Sequence, residues 1–184
     1  VHRATAHDGS LAAVKLQYPD MQSAVEADLN QLKIVFALAA RMNPAIETAE
    51  MLKEVAARLR EELDYELEAR HMALYGLIFK DEPAIRVPEW RRELSTKRLL
   101  TMTWLDGRRL LDYRSAPLEA RNAIARALFK AWWYPFSHYA VIHGDPHLGN
   151  YTIWEQEGKP GGIKLLDYGC IRTFRPPFVQ GVID

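Results

Sequence analysis

The sequence predicts an α+β fold in which a small, strand-containing lobe packs against a more helical lobe. Two observations lead to this class. The hydrophobic pattern changes period along the chain, so that the predicted elements follow in the order strands, helices, strands, helix and hairpin. In addition, 48% of the 184 residues are hydrophobic, which is enough to bury the core of about one domain.

The chain begins with a predicted hairpin and a helix. An Asp-Gly turn within residues 7–10 separates two strand-like runs, of which the second covers residues 11–16. From Asp20, apolar residues recur at steps of 3 and 4, and Asp20 and Ser23 are candidate N-caps. The residues of this apolar stripe are Val25, Leu29, Leu32, Phe36 and Ala39.

Further helices and strands are predicted in the rest of the chain. Asn43-Pro44 ends the first helix and begins a second, which is predicted to continue through Leu63 toward Leu77. Strands are predicted at residues 85–88 and 98–104, and a third helix at 117–138, with Pro135 expected to kink or end it. The final hairpin is predicted to pair residues 151–154 with 163–167 around a turn at 158–162.

Composition excludes several classes of partner and setting. Twenty-four Lys and Arg balance 24 Asp and Glu, which argues against nucleic-acid binding and against a polybasic membrane-surface protein. The single cysteine, Cys170, allows neither an internal disulfide nor a cysteine-based zinc site, and it favours a reducing, intracellular setting over secretion. No apolar run reaches the roughly 18 residues of a membrane span. Because the chain starts at Val1 without a leader, it is predicted to be part of a longer protein.

The most informative stretch is residues 143–150, followed by 167–169. Asp145 and Asn150 are five positions apart, which is the Asp-to-Asn spacing of the kinase catalytic loop, and Asp167-Tyr168-Gly169 has the form of the metal-binding Asp-Phe-Gly. Phosphoryl transfer requires these residue types. A carboxylate and a carboxamide oxygen hold magnesium against the phosphates, while a second carboxylate positions or deprotonates the attacking hydroxyl.

An upstream lysine and an acidic helix complete the pattern. Ala13-Val14-Lys15 is similar to the strand that carries the phosphate-contacting lysine of kinases, and a buried ammonium requires an acidic partner. On one continuous helix Glu61, Asp64 and Glu68 share a face, and helical spacing does not choose among them.

The aromatic residues around Trp132 and Trp133 are predicted to belong to the core, and a zinc site at His143 and His147 is disfavoured because no further ligands follow at a familiar spacing.

Together these motifs resemble those of the UbiB/AarF-type atypical protein-kinase-like family. The resemblance rests on residues 14–19, 62–65, 68–69, 143–150 and 167–169. It implies that Lys15 contacts the phosphates of ATP and pairs with Glu68, that Glu62 and Asp64 form the family's Glu-x-Asp motif at the nucleotide site, and that extra helices occupy the long interval between Lys15 and Glu68.

The same resemblance implies the roles of the catalytic loop and the hairpin. Asp145 is expected to be the catalytic-loop aspartate, and Asn150 and Asp167 the magnesium ligands. Two positions depart from the family pattern, because Leu148 stands where proline is usual and Tyr168 where phenylalanine is commoner. Both departures leave the expected metal ligands intact.

The resemblance also implies a protein-kinase-like, two-lobed fold that is incomplete at both ends. Residues 1–105 are expected to form part of the N-lobe with its inserted helices, and residues 106–184 part of the C-lobe with the catalytic loop and the metal-binding hairpin. The family's Lys-x-Gly-Gln motif would precede Val1.

The expected activity is that of a magnesium-dependent, ATP-binding kinase or ATPase linked to ubiquinone biosynthesis. Expected partners are a nucleotide and lipid or quinone-pathway proteins, and the expected location is cytoplasmic or peripheral at the inner membrane, with membrane contact through regions outside this sequence. Two other functions stay open. One is a small-molecule phosphotransferase of the aminoglycoside- or choline-kinase type, which the motif of residues 62–65 disfavours, and the other is a nucleotide-binding pseudokinase that regulates a partner.

Overall fold

A computed structural model describes residues 1–43 and 47–184 of the protein. Its first sheet is antiparallel, in the order β1-β2-β4. The three strands are β1 (His2–Thr5), β2 (Leu11–Leu16) and β4 (Leu99–Thr103). The predicted Asp-Gly turn joins the first two strands: the Asp8 carboxylate accepts a hydrogen bond from the Ser10 amide at 2.9 Å, and Gly9 takes a φ of +82° that suits glycine.

Helix α1 (Met21–Met42) confirms the first predicted helix. The predicted apolar stripe is its covered face, since Leu29 is 1% exposed and the other four residues of the stripe are half-buried. Asp20 occupies the N-cap position without a side-chain capping bond. The opposite face carries exposed apolar residues, namely Ile34, Val35, Leu38 and Met42.

The second predicted helix is two helices, so the expectation of one continuous element through Leu63 was wrong. Helix α2 is Thr48–Glu61 and helix α3 is Tyr65–Ile78. The chain breaks between them because the Asp64 side chain accepts a hydrogen bond from the Leu67 amide at 2.9 Å and thereby caps α3. The predicted start of the second helix at Pro44 lies outside the described residues.

The second sheet has the order β3-β8-β7-β5 and lies beside the long helix α4 (Leu118–Tyr139). Its strands are β3 (Ile85–Arg86), β5 (Arg108–Arg109), β7 (Tyr151–Gln156) and β8 (Lys159–Leu165). The pairing of β3 with β8 is parallel, whereas the other pairings are antiparallel.

The β7–β8 hairpin is longer than predicted. Its turn is formed by Glu157 and Gly158, which both have positive φ angles, and not by residues 158–162. The strand continues through the glycines because the register shifts next to Trp154, and the Trp154 ring packs where a side chain at Gly161 would lie. Arg86 stacks on the same Trp154 ring, with its guanidinium carbon 3.7 Å from the centre of the ring.

Pro135 was expected to kink or end helix α4, and the helix does not end there but continues to Tyr139. Pro135 lies in the last turns of the helix and is buried together with Ala131 and Phe136, so packing outweighs the loss of one backbone hydrogen bond. The helix ends at Ala140, whose φ of 57° is left-handed. The strands β6 (Val141–His143) and β9 (Ile171–Thr173) then pair with each other, and α5 (Pro176–Ile183) follows.

One apolar core connects α3, α4 and both larger sheets. Its most completely buried members include Ala69, Tyr75, Leu100, Ile163 and Leu165, each at most 1% exposed. The core thus fixes the strand that carries Lys15, the helix that carries Glu68 and the hairpin that ends at Asp167 relative to one another. Among the described residues, no helix is both long enough and apolar enough to cross a membrane.

Candidate functional site

The loop after β6 and the β7–β8 hairpin bring two predicted residues side by side. The Leu166 amide donates a hydrogen bond to the Asn150 carbonyl at 2.9 Å, and Tyr151 pairs with Leu165 in the adjoining strands. Asn150 ends a short 3-10 turn, and Asp167 comes two residues after the end of β8. The hairpin register therefore places the carboxamide of Asn150 and the carboxylate of Asp167 at the same edge of the cleft, which both residues line.

Asp145 and Asn150 contact each other directly. The Asn150 amide nitrogen donates to the Asp145 carboxylate at 2.9 Å and to its main-chain carbonyl at 3.2 Å. The hydrogen bond from Asn150, joined by one from the His147 amide, holds the pKa of Asp145 below its ordinary value of 3.8. Asp145 is thus an ionised carboxylate at neutral pH, and the carboxamide oxygen of Asn150 makes neither of these bonds.

His143 holds the loop and the hairpin end together. The buried ring, 1% exposed, hydrogen-bonds through Nε2 to the Asp167 carbonyl at 2.8 Å, and its Nδ1 accepts from the Asp145 amide at 3.3 Å. These bonds require the tautomer that carries its proton on Nε2. The histidine therefore acts as a scaffold between the two aspartates.

Lys15 lies between two carboxylates. Its ammonium is 2.9 and 2.8 Å from the two oxygens of Glu68 and 3.2 Å from Oδ2 of Asp167. Burial by itself lowers the pKa of Lys15, but Glu68 and Asp167 outweigh it, so the pKa lies above the ordinary 10.5. The side chain is consequently a fixed positive charge at the mouth of the cleft.

Tyr65 is a neighbour of Lys15 that the sequence did not single out. The Lys15 ammonium lies 5.3 Å from the centre of the Tyr65 ring, within the range of a cation–π contact. Tyr65 is the first residue of α3, directly after the Asp64 cap, and its ring packs against the Lys15 ammonium. The sequence shows an aromatic residue directly after Asp64, but no pattern in the sequence indicates that this residue contacts Lys15.

Glu62 and Asp64 lie away from the contacts of Lys15. Glu62 is exposed at the C-terminal end of α2, and Asp64 caps α3 and lines a groove beside Gln17. The buried Gln17 amide donates to the Leu63 carbonyl at 2.6 Å and so ties this linker to the end of β2. The assignment of Glu62 and Asp64 to the nucleotide site remains a prediction from the family resemblance.

The expectation that Glu61, Asp64 and Glu68 share one helical face was wrong, because the residues do not lie on one continuous helix. Glu61 is the last residue of α2, whereas Asp64 caps α3 and Glu68 lies within it. Glu61 instead accepts from Arg58 on its own helix and from Arg172 on β9. Glu61 therefore belongs to a cluster of ion pairs and not to the contacts of Lys15. Helix α3 is tied to the Asp167-Tyr168-Gly169 segment by His71, whose Nδ1 donates to the Tyr168 carbonyl at 3.2 Å.

A cleft of about 320 Å³ lies between the first sheet and the hairpin. Its walls include Ala13 and Lys15 from β2, Met102 from β4 and Trp104 from the following segment, opposite Asn150 and Asp167. Lys164 on β8 donates to the Asp106 carbonyl and so connects the hairpin to the segment that follows β4.

The donors at the hairpin edge fit a magnesium ion that shares its coordination with phosphate and water. Asp167 offers a carboxylate and Asn150 a carboxamide oxygen, which are hard oxygen ligands of the type that magnesium prefers. No cluster of three or more His, Cys, Asp or Glu that could hold a metal occurs within residues 1–43 and 47–184. Magnesium is commonly bound by one or two protein ligands together with the phosphates of its substrate and water, so a carboxylate and a carboxamide suit an ion that arrives with a phosphate-bearing ligand.

Comparison with known proteins places this geometry in a family. The chain is 27% identical over 179 residues to "Atypical kinase COQ8, mitochondrial" of Saccharomyces cerevisiae, covering 97% of this chain and 35% of the relative. It is 30% identical over 181 residues to "AarF domain-containing protein kinase 1" of Xenopus tropicalis, with the same two coverages. The chain thus spans about a third of the length of these curated relatives.

A solved structure and a family model agree with these relatives. The structure of Rv3197 from Mycobacterium tuberculosis, described as a complex with erythromycin, superimposes with a TM-score of 0.80 at 26% identity and covers 94% of this chain and 43% of that one. These likenesses confirm the predicted α+β, kinase-like fold and the resemblance to AarF proteins. The model of the ABC1 atypical kinase-like domain matches residues 1–184, and the chain therefore belongs to the ABC1 atypical kinase-like family.

Proposed function

We propose that the protein binds magnesium–ATP in the cleft beside Lys15 and carries out phosphoryl chemistry as an atypical kinase or ATPase. The observation that supports this most directly is the position of the Lys15 ammonium, 2.8 Å from Glu68 and 3.2 Å from Asp167. A lysine held in this way between a helix and the metal-binding segment is a part that kinase-type phosphoryl transfer requires.

Each proposed role follows from the chemistry of the side chain. Lys15 binds the phosphates, and Glu68, which is 3% exposed, orients it. Asn150 and Asp167 hold the magnesium ion, which when bound neutralises the charge of the phosphates. Asp145 positions the attacking hydroxyl or water, because its low pKa keeps it an acceptor at neutral pH and the Asn150 amide fixes its carboxylate.

We assign Glu62 and Asp64 to the nucleotide site on the strength of the family resemblance. In this structure Asp64 has the additional task of capping α3, the helix that presents Glu68. We also propose that residues 1–105 and 106–184 belong to the two lobes. The last strand of the first sheet ends at Thr103, and the next two residues, Trp104 and Leu105, line the cleft. The short strand β3 belongs to the first range, yet it pairs with β8 of the second.

The full-length protein provides the test. We expect it to bind magnesium–ATP and to release phosphate or transfer it to an acceptor. The Asp167→Asn and Asp145→Asn variants should lose at least about a hundredfold in turnover, since each removes a charge used in the transition state. Lys130→Gln is a suitable control, because Lys130 lies on α4 and pairs with Glu82, away from the cleft residues.

The competing functions give different results in the same assays. Nucleotide binding without turnover in the unmodified protein would favour the pseudokinase regulator, and phosphate transfer to an aminoglycoside or to choline would favour the small-molecule phosphotransferase. Absence of both binding and turnover would contradict the proposal.

We further propose a role in ubiquinone biosynthesis or related isoprenoid-lipid metabolism, with lipid or quinone-pathway proteins as partners. The support is membership of the ABC1 family together with the AarF and COQ8 relatives, of which the yeast COQ8 protein is named mitochondrial. We expect a cytoplasmic or peripheral inner-membrane location. Full-length protein should restore quinone levels in cells that lack their own family member, whereas the Asp167→Asn variant should not; equal restoration by both would overturn the link to phosphoryl chemistry.

A further inference from the structure

We propose that a second cavity, formed between α3 and residues 90–96, binds a small organic phosphate. In this site Arg70 and Arg92 contact the phosphate, while Tyr65 and Trp90 pack against an aromatic or other planar group of the same ligand. The inference goes beyond the proposed nucleotide function and does not depend on it.

The cavity is larger than the nucleotide cleft and adjoins it through Tyr65, which lines the cavity and also contacts Lys15. Its volume is about 430 Å³, compared with about 320 Å³ for the cleft, and the two have no lining residue in common. Volumes of several hundred cubic ångströms are those of sites for small organic ligands. The cavity is therefore large enough for a molecule that contains one ring and one phosphate group.

Its charge selects an anion. Arg70 projects from α3 and Arg92 from the short 3-10 turn at residues 92–94, and neither makes an ion pair in the part of the chain that the structure describes. Other arginines of this region are paired, as Arg60 is with Glu26. Glu66 also lines the cavity and offsets one of the two charges, so the walls keep one net positive charge for an incoming anion.

Guanidinium groups distinguish phosphate from other partners by geometry. Each presents parallel N–H donors that match two phosphate oxygens, and two such groups in one cavity can share the three free oxygens of a phosphate monoester. Ser95 does not compete for this role, because its hydroxyl donates to the Arg91 carbonyl and accepts from the Thr101 amide.

The aromatic walls supply the second half of the recognition. Tyr65 is 7% exposed and forms part of the cavity wall, and Trp90 forms another part with Arg92 lying 5.6 Å from the centre of its ring. Rings of this kind bind a planar group by stacking and burial while the guanidinium groups hold the anion. A phosphate attached to a ring therefore fits this site better than inorganic phosphate.

Calorimetric titration of the full-length protein with phenyl phosphate tests the proposal. We expect saturable binding, weakened at least about tenfold in Arg70→Gln and in Arg92→Gln because each variant removes charge-assisted hydrogen bonds. Arg126→Gln is the matched control, since Arg126 is an exposed arginine of α4 outside this cavity, and it should bind as the unmodified protein does. Inorganic phosphate should bind more weakly than phenyl phosphate because it leaves the aromatic walls unused.

Competing outcomes are distinguishable. Binding that persists in both arginine variants and disappears in Lys15→Met would place the phosphate in the nucleotide cleft and overturn the second site. Equal affinities for phenyl phosphate in all variants, or no binding to a protein that still melts cooperatively, would also overturn it. Because the arginines are exposed, their substitution should leave the melting temperature unchanged, and this check separates a lost site from a lost fold.

Discussion

Lys15 and Glu68 are 53 positions apart in the chain, yet the lysine ammonium contacts both carboxylate oxygens of the glutamate. The contact joins the central strand of the first sheet to α3. It is well shielded from solvent, with side-chain exposures of 22% for Lys15 and 3% for Glu68. Removal of either partner would leave the other charge buried without this counter-ion, so the pair matters for stability as well as for the geometry of the cleft.

Replacing Glu68 tests this pair. Glu68→Gln leaves a largely buried ammonium with Asp167 as its remaining carboxylate partner, and we expect a loss of about 3 kcal/mol in the free energy of unfolding. Affinity for magnesium–ATP should fall at least about tenfold because Lys15 is no longer oriented. Urea unfolding and nucleotide titration measure the two effects. Glu119→Gln, an exposed position on α4, serves as the control, and equal behaviour of the two variants would show that the pair has no such role.

Asp64 offers a way to separate capping from site chemistry. Asp64→Ala removes the bond to the Leu67 amide and should destabilise the protein by about 1 kcal/mol, whereas Asp64→Asn keeps an acceptor and should cost much less. Thermal unfolding distinguishes the two variants. If Asp64→Asn is stable but loses nucleotide turnover, the carboxylate acts at the site; a stability loss equal to that of alanine would contradict the capping role.

Gly162 tests the packing of the hairpin. A methyl group there would collide with the Ala84 carbonyl, and the φ of +151° also disfavours a side chain. We expect Gly162→Ala to destabilise the protein by about 2 to 3 kcal/mol, since the obstacle is backbone and cannot move aside easily. In Gly181→Ala the new methyl group meets nothing within 4 Å and alanine favours the helix, so this variant should be neutral or slightly stabilised. Similar melting temperatures for the two variants would count against this packing.

His71 predicts a dependence of stability on pH. Burial, aided by Arg70 and Arg172, lowers its pKa below the ordinary 6.5, although the Tyr168 carbonyl and Glu61 act in the opposite direction. The unfolded chain therefore takes up this proton at a higher pH than the folded chain does, and stability present above about pH 6.5 is lost as the pH falls through the lower pKa of the folded state.

His71→Asn removes this titration and keeps an amide donor for the Tyr168 carbonyl. Its free energy of unfolding should consequently fall less than that of the unmodified protein between about pH 7 and about pH 5. Chemical unfolding at a series of pH values gives the comparison. His7→Asn, at an exposed position of the first turn, should keep the original slope. A slope in His71→Asn as steep as in the unmodified protein would assign the acid sensitivity to other groups.

Local pattern was sufficient for much of the fold. The steps of 3 and 4 in α1 identify the covered face because a helix period and an amphipathic surface have the same cause. The break before α3 escaped detection because Leu59 and Leu63 continue the apolar spacing of α2, whereas a single side-chain bond from Asp64 decides where the helix begins. Likewise, Pro135 is accommodated through tertiary burial, which a local rule does not include.

The candidate site shows the same division. Asp145, Asn150 and Asp167 are close in sequence or joined by one hairpin, so their spacing already predicts their proximity. The choice of Glu68 among several acids depended on the angle between α2 and α3, which helical periodicity does not contain; the family resemblance named the residue, and the structure places it against Lys15. Tyr65 contacts Lys15 only through tertiary packing.

The hydrogen bond from the Leu166 amide to the Asn150 carbonyl distinguishes two parts of the site. One part is the hairpin edge with Asn150 and Asp167, and the other is Lys15 on the first sheet. Asn150 and Asp167 are fixed to each other by the strand ladder of a single hairpin, so their separation is insensitive to movement between the two sheets. Lys15 reaches Asp167 from the first sheet, through a contact between the two side chains. A small displacement of the first sheet would therefore move the Lys15 ammonium relative to Asp167, while the spacing of Asn150 and Asp167 would stay the same.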